Sequence, residues 1–168
     1  MERTALIIGR FQPPHLGHLH AIQRALEKFD FLLIGIGSSQ ATGTKRNPFS
    51  YEERKEMLER SLPKKYNGEY KIISLPDKFN DQQWRDYCLS QERFDLVISG
   101  SAWVARCFKN YKPLQEPDFL HLEEYKASKI RKKIAKGEKW EKLVPEGTLM
   151  VMKKVKGEER IKKINLPL

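Results

Sequence analysis

Two histidines three residues apart lie in the stretch Gly9-Arg10-Phe11-Gln12-Pro13-Pro14-His15-Leu16-Gly17-His18, directly after a short apolar run. Pro13 and Pro14 lack amide hydrogens and fix φ, so they suit the approach and first position of a helix, where a missing donor costs little. A helix beginning near Pro14 turns its free amides and the positive end of its dipole toward an anion. His15 and His18, at i and i+3, then project from one side toward that same anion, and Gly17 permits close packing or close approach. The chemistry that fits is phosphate binding. A metal site fits poorly, because no third ligand of suitable spacing is near and the Glu of a zinc-protease motif is absent. The segment GSSQATGTK is not a Walker A loop, having five residues instead of four between its glycines, and GIGSSQ lacks the third glycine of the dinucleotide fingerprint.

These residues need a scaffold, and the apolar runs provide one. TALIIG (4–9), FLLIGIG (31–37), YKIISL (70–75) and FDLVISG (94–100) read as strands, the first, second and fourth nearly continuous as in sheets buried on both faces. Between them the spacing predicts helices over 15–28 (Leu19, Ile22, Leu26 and Phe29 on one face), 50–60, 81–91 and 102–110; the second opens on Ser50-x-x-Glu53, a capping-box pattern. Alternating strands and helices make successive βαβ units, hence an α/β fold with a doubly wound parallel sheet. Ligands of such folds bind at the carboxyl ends of the strands. Three of these ends carry glycines and small hydroxyl residues: Gly9-Arg10, Gly37-Ser38-Ser39-Gln40 and Ser99-Gly100-Ser101. The segment 146–164 reads as either helix or strand.

Among 168 residues the net charge is +10, and nearly all the excess is carboxy-terminal: residues 1–125 carry 18 Lys or Arg against 17 Asp or Glu, and 126–168 carry 14 against 5. Such a block suits nucleic acid, membrane headgroups, a phosphorylated small molecule, or simply solvent. Its aromatics are too sparse for a single-strand stacking platform. Cys88 and Cys107 suggest neither a disulfide framework nor a structural zinc site. The amino-terminal apolar run is too short for a signal peptide and no run is long enough to span a membrane, so a soluble cytoplasmic protein is expected.

The stretch 9–18 resembles the nucleotidyltransferase signature, in which a His-x-Gly-His element binds ATP phosphates. Within that superfamily the run GIGSSQATGTKRNPFSYEERKEML is similar to the archaeal-type nicotinamide mononucleotide (NMN) adenylyltransferases, with their Gly-Ser-x-Gln loop and Asn-Pro-Phe and Glu-Arg pattern. Leu75-Pro76-Asp77, Trp84, Ile98-Ser99-Gly100 and Ser128-Lys129-Ile130-Arg131 extend the likeness over most of the chain. The resemblance implies a single Rossmann-like nucleotidyltransferase domain over 1–168 with a basic, helical carboxy-terminal part from about 126. The implied reaction is adenylyl transfer from ATP to NMN, giving NAD and pyrophosphate.

On that resemblance His15, His18, Arg10 and Arg131 are the catalytic candidates. Gly9, Phe11, Gly17, Ser99, Gly100 and Ser128 join them around ATP, and Ser38, Ser39, Gln40, Arg46, Asp77, Asp81 and Trp84 take the acceptor. Trp84 either stacks on the pyridine ring or belongs to the core, and Asp77 either contacts the acceptor or caps a turn. Mg²⁺ or another divalent ion is expected on the phosphates, with no ligands from protein side chains. Family members assemble into oligomers, often hexamers. Three departures from the family pattern bear on substrate contacts: Lys126 before the late motif, Ser101-Ala102 in place of Asn-Pro, and Asp81 where an Asn commonly meets the carboxamide. Other acceptors, namely nicotinate mononucleotide, phosphopantetheine or FMN, stay open, as does a non-catalytic nucleotide- or RNA-binding protein.

Overall fold

The computed structural model describes residues 2–118, 120 and 124–167. The chain forms two compact units, Met1–Arg10 with Ala21–Ser39 and Lys64–Asp118, and Phe11–His20 with Gln40–Pro63 and Phe119–Leu168.

The first unit holds the sheet. Its strands are β1 (Thr4–Gly9), β2 (Phe31–Gly37), β3 (Tyr70–Leu75), β4 (Leu96–Ile98) and β5 (Leu114–Gln115), in the order β3-β2-β1-β4-β5. Every pairing is parallel, with Ile7 opposite both Ile34 and Ile98. The doubly wound reading is therefore correct, and the first three strands have the limits read from their apolar runs. The fourth is shorter than 94–100: Phe94 is a buried core residue ahead of the strand, and the chain leaves the ladder at Ser99. The two-residue β5 was not foreseen, because Leu114 and Gln115 are both exposed and carry no alternation. Helices α3 (Asp81–Gln91) and α4 (Ala102–Phe108) also belong here. Leu6, Leu33, Leu75, Trp84, Cys88, Val97, Val104, Cys107 and Phe108 make their core.

Helix α1 (Leu16–Leu26) is shorter than 15–28. The second unit is helical otherwise. Helix α2 (Tyr51–Ser61) starts as the capping box requires: Glu53 N donates to Ser50 Oγ at 3.2 Å and Ser50 N donates to Glu53 Oε2 at 2.9 Å. Helices α5 (Ala127–Lys136), α6 (Glu146–Lys154) and α7 (Gly157–Ile164) follow, so the ambiguous 146–164 segment is two helices divided at Lys156, whose φ is 52°. Phe49, Met57, Ile130, Ile134, Trp140, Val151, Met152 and Ile161 form the core of this unit. Arg160 of α7 grips Glu53 with Nη1 and Nη2 at 2.6 and 2.8 Å.

Helix α6 lies against the end of α2 at very short range. A Cβ built on Gly147 would fall 2.5 Å from the backbone of Arg60 and Ser61, so only glycine fits there. No helix among the described residues is long and apolar enough to cross a membrane.

Candidate active site

In the first unit, β1 gives out at Gly9 and Arg10 and its neighbour β4 at Ser99 and Gly100, which places these four residues where the strand order reverses. Beside them β2 ends at Gly37, whose open Cα lies near the Gly9 carbonyl and the Arg10 side chain. Ser38 turns the chain with φ 45° and donates its hydroxyl to Asp77 Oδ1 at 3.0 Å. Ser39 accepts from Ser74 Oγ at 2.7 Å. Ser38, Ser39 and Asp77 are thus brought together at the carboxyl ends of β2 and β3.

Asp81 opens α3 and accepts the indole N–H of Trp103 at 2.9 Å. Trp84 is 3 % exposed, with its ring 4.4 Å from that of Trp103 and 5.9 Å from that of Phe108. Of its two readings, core residue is the one this arrangement meets, because neighbouring aromatic rings cover the indole. Ser101 serves the fold itself as the N-cap of α4, accepting from Val104 N.

The second unit carries the histidine pair. The rings of His15 and His18 stack with centroids 3.6 Å apart and planes inclined by 19°. Each backbone amide donates to the other ring, His15 N to His18 Nδ1 and His18 N to His15 Nδ1, both at 3.2 Å. This corrects the expectation of free amides at a helix starting near Pro14: the helix begins at Leu16, and these two donors are already used by imidazole. The consequence is chemical. A neutral ring that accepts at Nδ1 carries its proton on Nε2, so both rings are set as Nε2–H donors.

Burial enforces the neutral state. His15 is 6 % exposed, and loss of hydration lowers its pKa to about 4. Burial also lowers that of His18, with the adjacent His15 adding to the effect. The pair therefore supplies directed hydrogen bonds at neutral pH, and fixed positive charge must come from arginine. His15 also makes folding pH-dependent. In the unfolded chain its pKa is near 6.5, so between about pH 6.5 and 4 the unfolded state binds a proton the folded state refuses, and stability falls with pH by up to about 3 kcal/mol. Urea midpoints measured across that window should drop more steeply for the natural chain than for His15→Gln; equal slopes would contradict the assignment.

Around the pair the chain is tied down closely. Phe11, with φ 52° and 2 % exposure, sets its ring edgewise on His18 at 4.8 Å. Gln12, 1 % exposed, clasps the backbone of Phe49 both ways, donating Nε2 to its carbonyl and accepting its amide at Oε1, each at 2.9 Å. Arg131 donates Nε to the Lys45 carbonyl at 3.1 Å and Nη1 to the Gln12 carbonyl at 2.9 Å. Thr148 donates its hydroxyl to the Pro14 carbonyl at 3.0 Å. Gly17 is a matter of packing, since a Cβ there would meet Tyr125 Cβ at 3.0 Å and the His15 ring at 3.1 Å.

The remaining sequence candidates lie at the surface. Gln40 and Arg46 are exposed in the second unit, and Ser128 is exposed in the first turn of α5. Lys126 is the N-cap of α5 and makes no side-chain cap bond. Sequence reasoning missed Gln12, Thr148 and Trp103 as site-supporting residues. Gln12 was legible in principle, as an amide inside the signature, whereas nothing marks Thr148 among its apolar neighbours.

A parallel sheet with paired histidines after its first strand fits a nucleotidyltransferase, and the comparisons show that class. The chain belongs to the cytidylyltransferase-like family, whose model matches residues 6–155. Within it, the chain is 40 % identical over 166 residues to the nicotinamide-nucleotide adenylyltransferase of Thermococcus onnurineus, covering 96 % of this chain and 88 % of that one. It is also 40 % identical over 165 residues to that of Methanococcus aeolicus, covering 96 % and 95 %. A solved relative is a bifunctional NMN adenylyltransferase/ADP ribose pyrophosphatase from Francisella tularensis, complexed with AMP and a manganese ion. It superposes with a TM-score of 0.77 at 25 % identity, over 98 % of this chain and 52 % of that one. The present chain thus spans about half the length of that bifunctional protein.

Proposed function

We propose that the chain transfers the adenylyl group of ATP to nicotinamide mononucleotide, forming NAD and pyrophosphate, and that residues 1–168 act as one nucleotidyltransferase domain. The observation that carries this is the reciprocal histidine pair, two neutral imidazoles with their Nε2–H donors fixed by each other's amides, in a chain 40 % identical to nicotinamide-nucleotide adenylyltransferases.

An oxygen of the acceptor's 5′-phosphate bonds to the α-phosphorus of ATP, while the bond from that phosphorus to the α,β-bridging oxygen breaks and its electron pair leaves with pyrophosphate. The nucleophile is already an anion near neutral pH, so no general base is required. The barrier lies in anion repulsion and in charge moving to the leaving group, which positioned donors and cations relieve. His15 and His18 donate to ATP phosphate oxygens, and Arg10 supplies positive charge. Arg131 holds the Gln12 and Lys45 carbonyls and so shapes the turn as well as contributing charge. Gly9, Phe11, Ser99, Gly100 and Ser128 complete the ATP contacts, and Gly17 leaves the room that the His15 ring needs.

A divalent ion, Mg²⁺ by preference, neutralises phosphate charge. Such an ion is held largely by phosphates and water and needs few ligands from protein side chains. The enzyme is taken to work in the cytoplasm as a homo-oligomer, with a hexamer the family's frequent form.

Ser38, Ser39, Gln40, Arg46, Asp77 and Asp81 are assigned to the acceptor. Trp84 has the weakest support of the acceptor residues, being covered by Trp103 and Phe108. Asp81 bears on selectivity: its carboxylate repels the negative group of nicotinate mononucleotide but accepts from a carboxamide. Asp81→Asn is expected to raise relative kcat/KM for nicotinate mononucleotide about tenfold, on the order of 1.4 kcal/mol. An unchanged ratio would remove Asp81 from acceptor recognition.

The direct test incubates the purified chain with ATP, Mg²⁺ and each mononucleotide separately and follows dinucleotide formation by chromatography. NAD formation with nicotinamide mononucleotide supports the reading, and no dinucleotide from either acceptor overturns it.

A further inference from the structure

Thr148 is 0 % exposed and hydrogen-bonded across 134 residues of sequence to the carbonyl of Pro14, the residue immediately before His15. His15 is the N-cap of α1, its carbonyl accepting Leu19 N at 3.0 Å, so the Pro14 carbonyl lies ahead of the helix and accepts none of its amides. The His18 amide, at the third helical position, is capped by His15 Nδ1. The Pro14 carbonyl belongs to a buried residue and needs a partner of its own, and the Thr148 hydroxyl is that partner.

The hydroxyl is itself held firmly. Gly147, the preceding residue, sits against the backbone of Arg60 and Ser61. Val151 and Met152, one turn further along α6, are in the core with Ile130 and Ile134. A rigid helix therefore presents one buried donor to one carbonyl of the turn that carries the histidines.

We infer that Thr148 is a positioning residue for the histidine pair: by holding the Pro14 carbonyl it fixes the backbone that enters the N-cap at His15, and so the placement in which His15 Nδ1 accepts the His18 amide and the ring keeps its proton on Nε2. This rests on the reading that the pair donates to ATP phosphates, and it gives the carboxy-terminal helices a part in the reaction without touching substrate.

The test compares Thr148→Val, which keeps the shape and loses the donor, with Thr148→Ser, which keeps the donor. Long-range ¹H–¹⁵N spectra of the imidazoles report the tautomer independently of activity, and steady-state kinetics report turnover. In Thr148→Val the His15 ring is expected to lose its single Nε2–H pattern and kcat to fall about tenfold, with KM for ATP changed less. Thr148→Ser should retain the tautomer and most of the turnover. A natural tautomer pattern and a kcat within twofold in Thr148→Val would overturn the inference, as would a serine variant as impaired as the valine one. Should Thr148→Val not fold, Thr148→Ala is read against the same criteria. A natural chain that made no dinucleotide would defeat the proposed reaction, while the spectra would still decide whether Thr148 sets the tautomer.

Discussion

His18→Ala is expected to lower turnover about a hundredfold or more, equivalent to about 2.7 kcal/mol of transition-state stabilisation, as for loss of other preorganised donors to developing charge. The expectation follows from the state of the ring. His18 is neutral, stacked on His15 and fixed at Nδ1, so its remaining donor cannot swing away or be lost to a different tautomer. The same substitution leaves the His15 amide without its acceptor, at a cost of about 1 kcal/mol in stability. Urea denaturation must accompany the kinetics. A folded variant with an unchanged kcat would reject the role of His18 in the chemical step.

The second large effect concerns stability. Gly147→Ala should destabilise the chain by about 3 kcal/mol, because the new methyl would fall 2.5 Å from two backbone atoms of Arg60 and Ser61 and 2.6 Å from Ser61 Oγ. Backbone cannot rotate out of the way as a side chain would, so α6 must shift as a body. In a protein of this size that corresponds to a fall in Tm of about 10 °C. Turnover should fall with it, since α6 carries the Thr148 hydroxyl. A melting temperature within about 2 °C of the natural chain would mean that the approach of α6 to α2 is looser than this geometry.

The strands were readable because a parallel sheet buried on both faces leaves continuous apolar runs, as in TALIIG and FLLIGIG. The capping box at Ser50 and Glu53 was equally plain, since its chemistry is local. Where burial or local chemistry gave no pattern, the reading stopped short. Exposed Leu114 and Gln115 gave no alternation to mark β5, and the run TLMVMKKV fits helix or strand until its partners are known. Trp84 shows the same limit at the site: an indole near a binding loop serves core or ligand alike, and only its aromatic neighbours distinguish them.

The residues between Gly9 and His18, with the apolar run before them, were enough to determine a strand followed by a helix that starts with His15 and His18 on one side, because such a turn is made by neighbours in the chain. What they did not determine is how that turn is held. The amide clasp of Gln12 on Phe49 and the hydroxyl of Thr148 on Pro14 depend on partners that come close only once the helices pack. Hydrogen bonds of this kind act over about 3 Å whatever the sequence separation, so they leave no periodicity in the sequence, and the folded chain alone brings the groups within that distance.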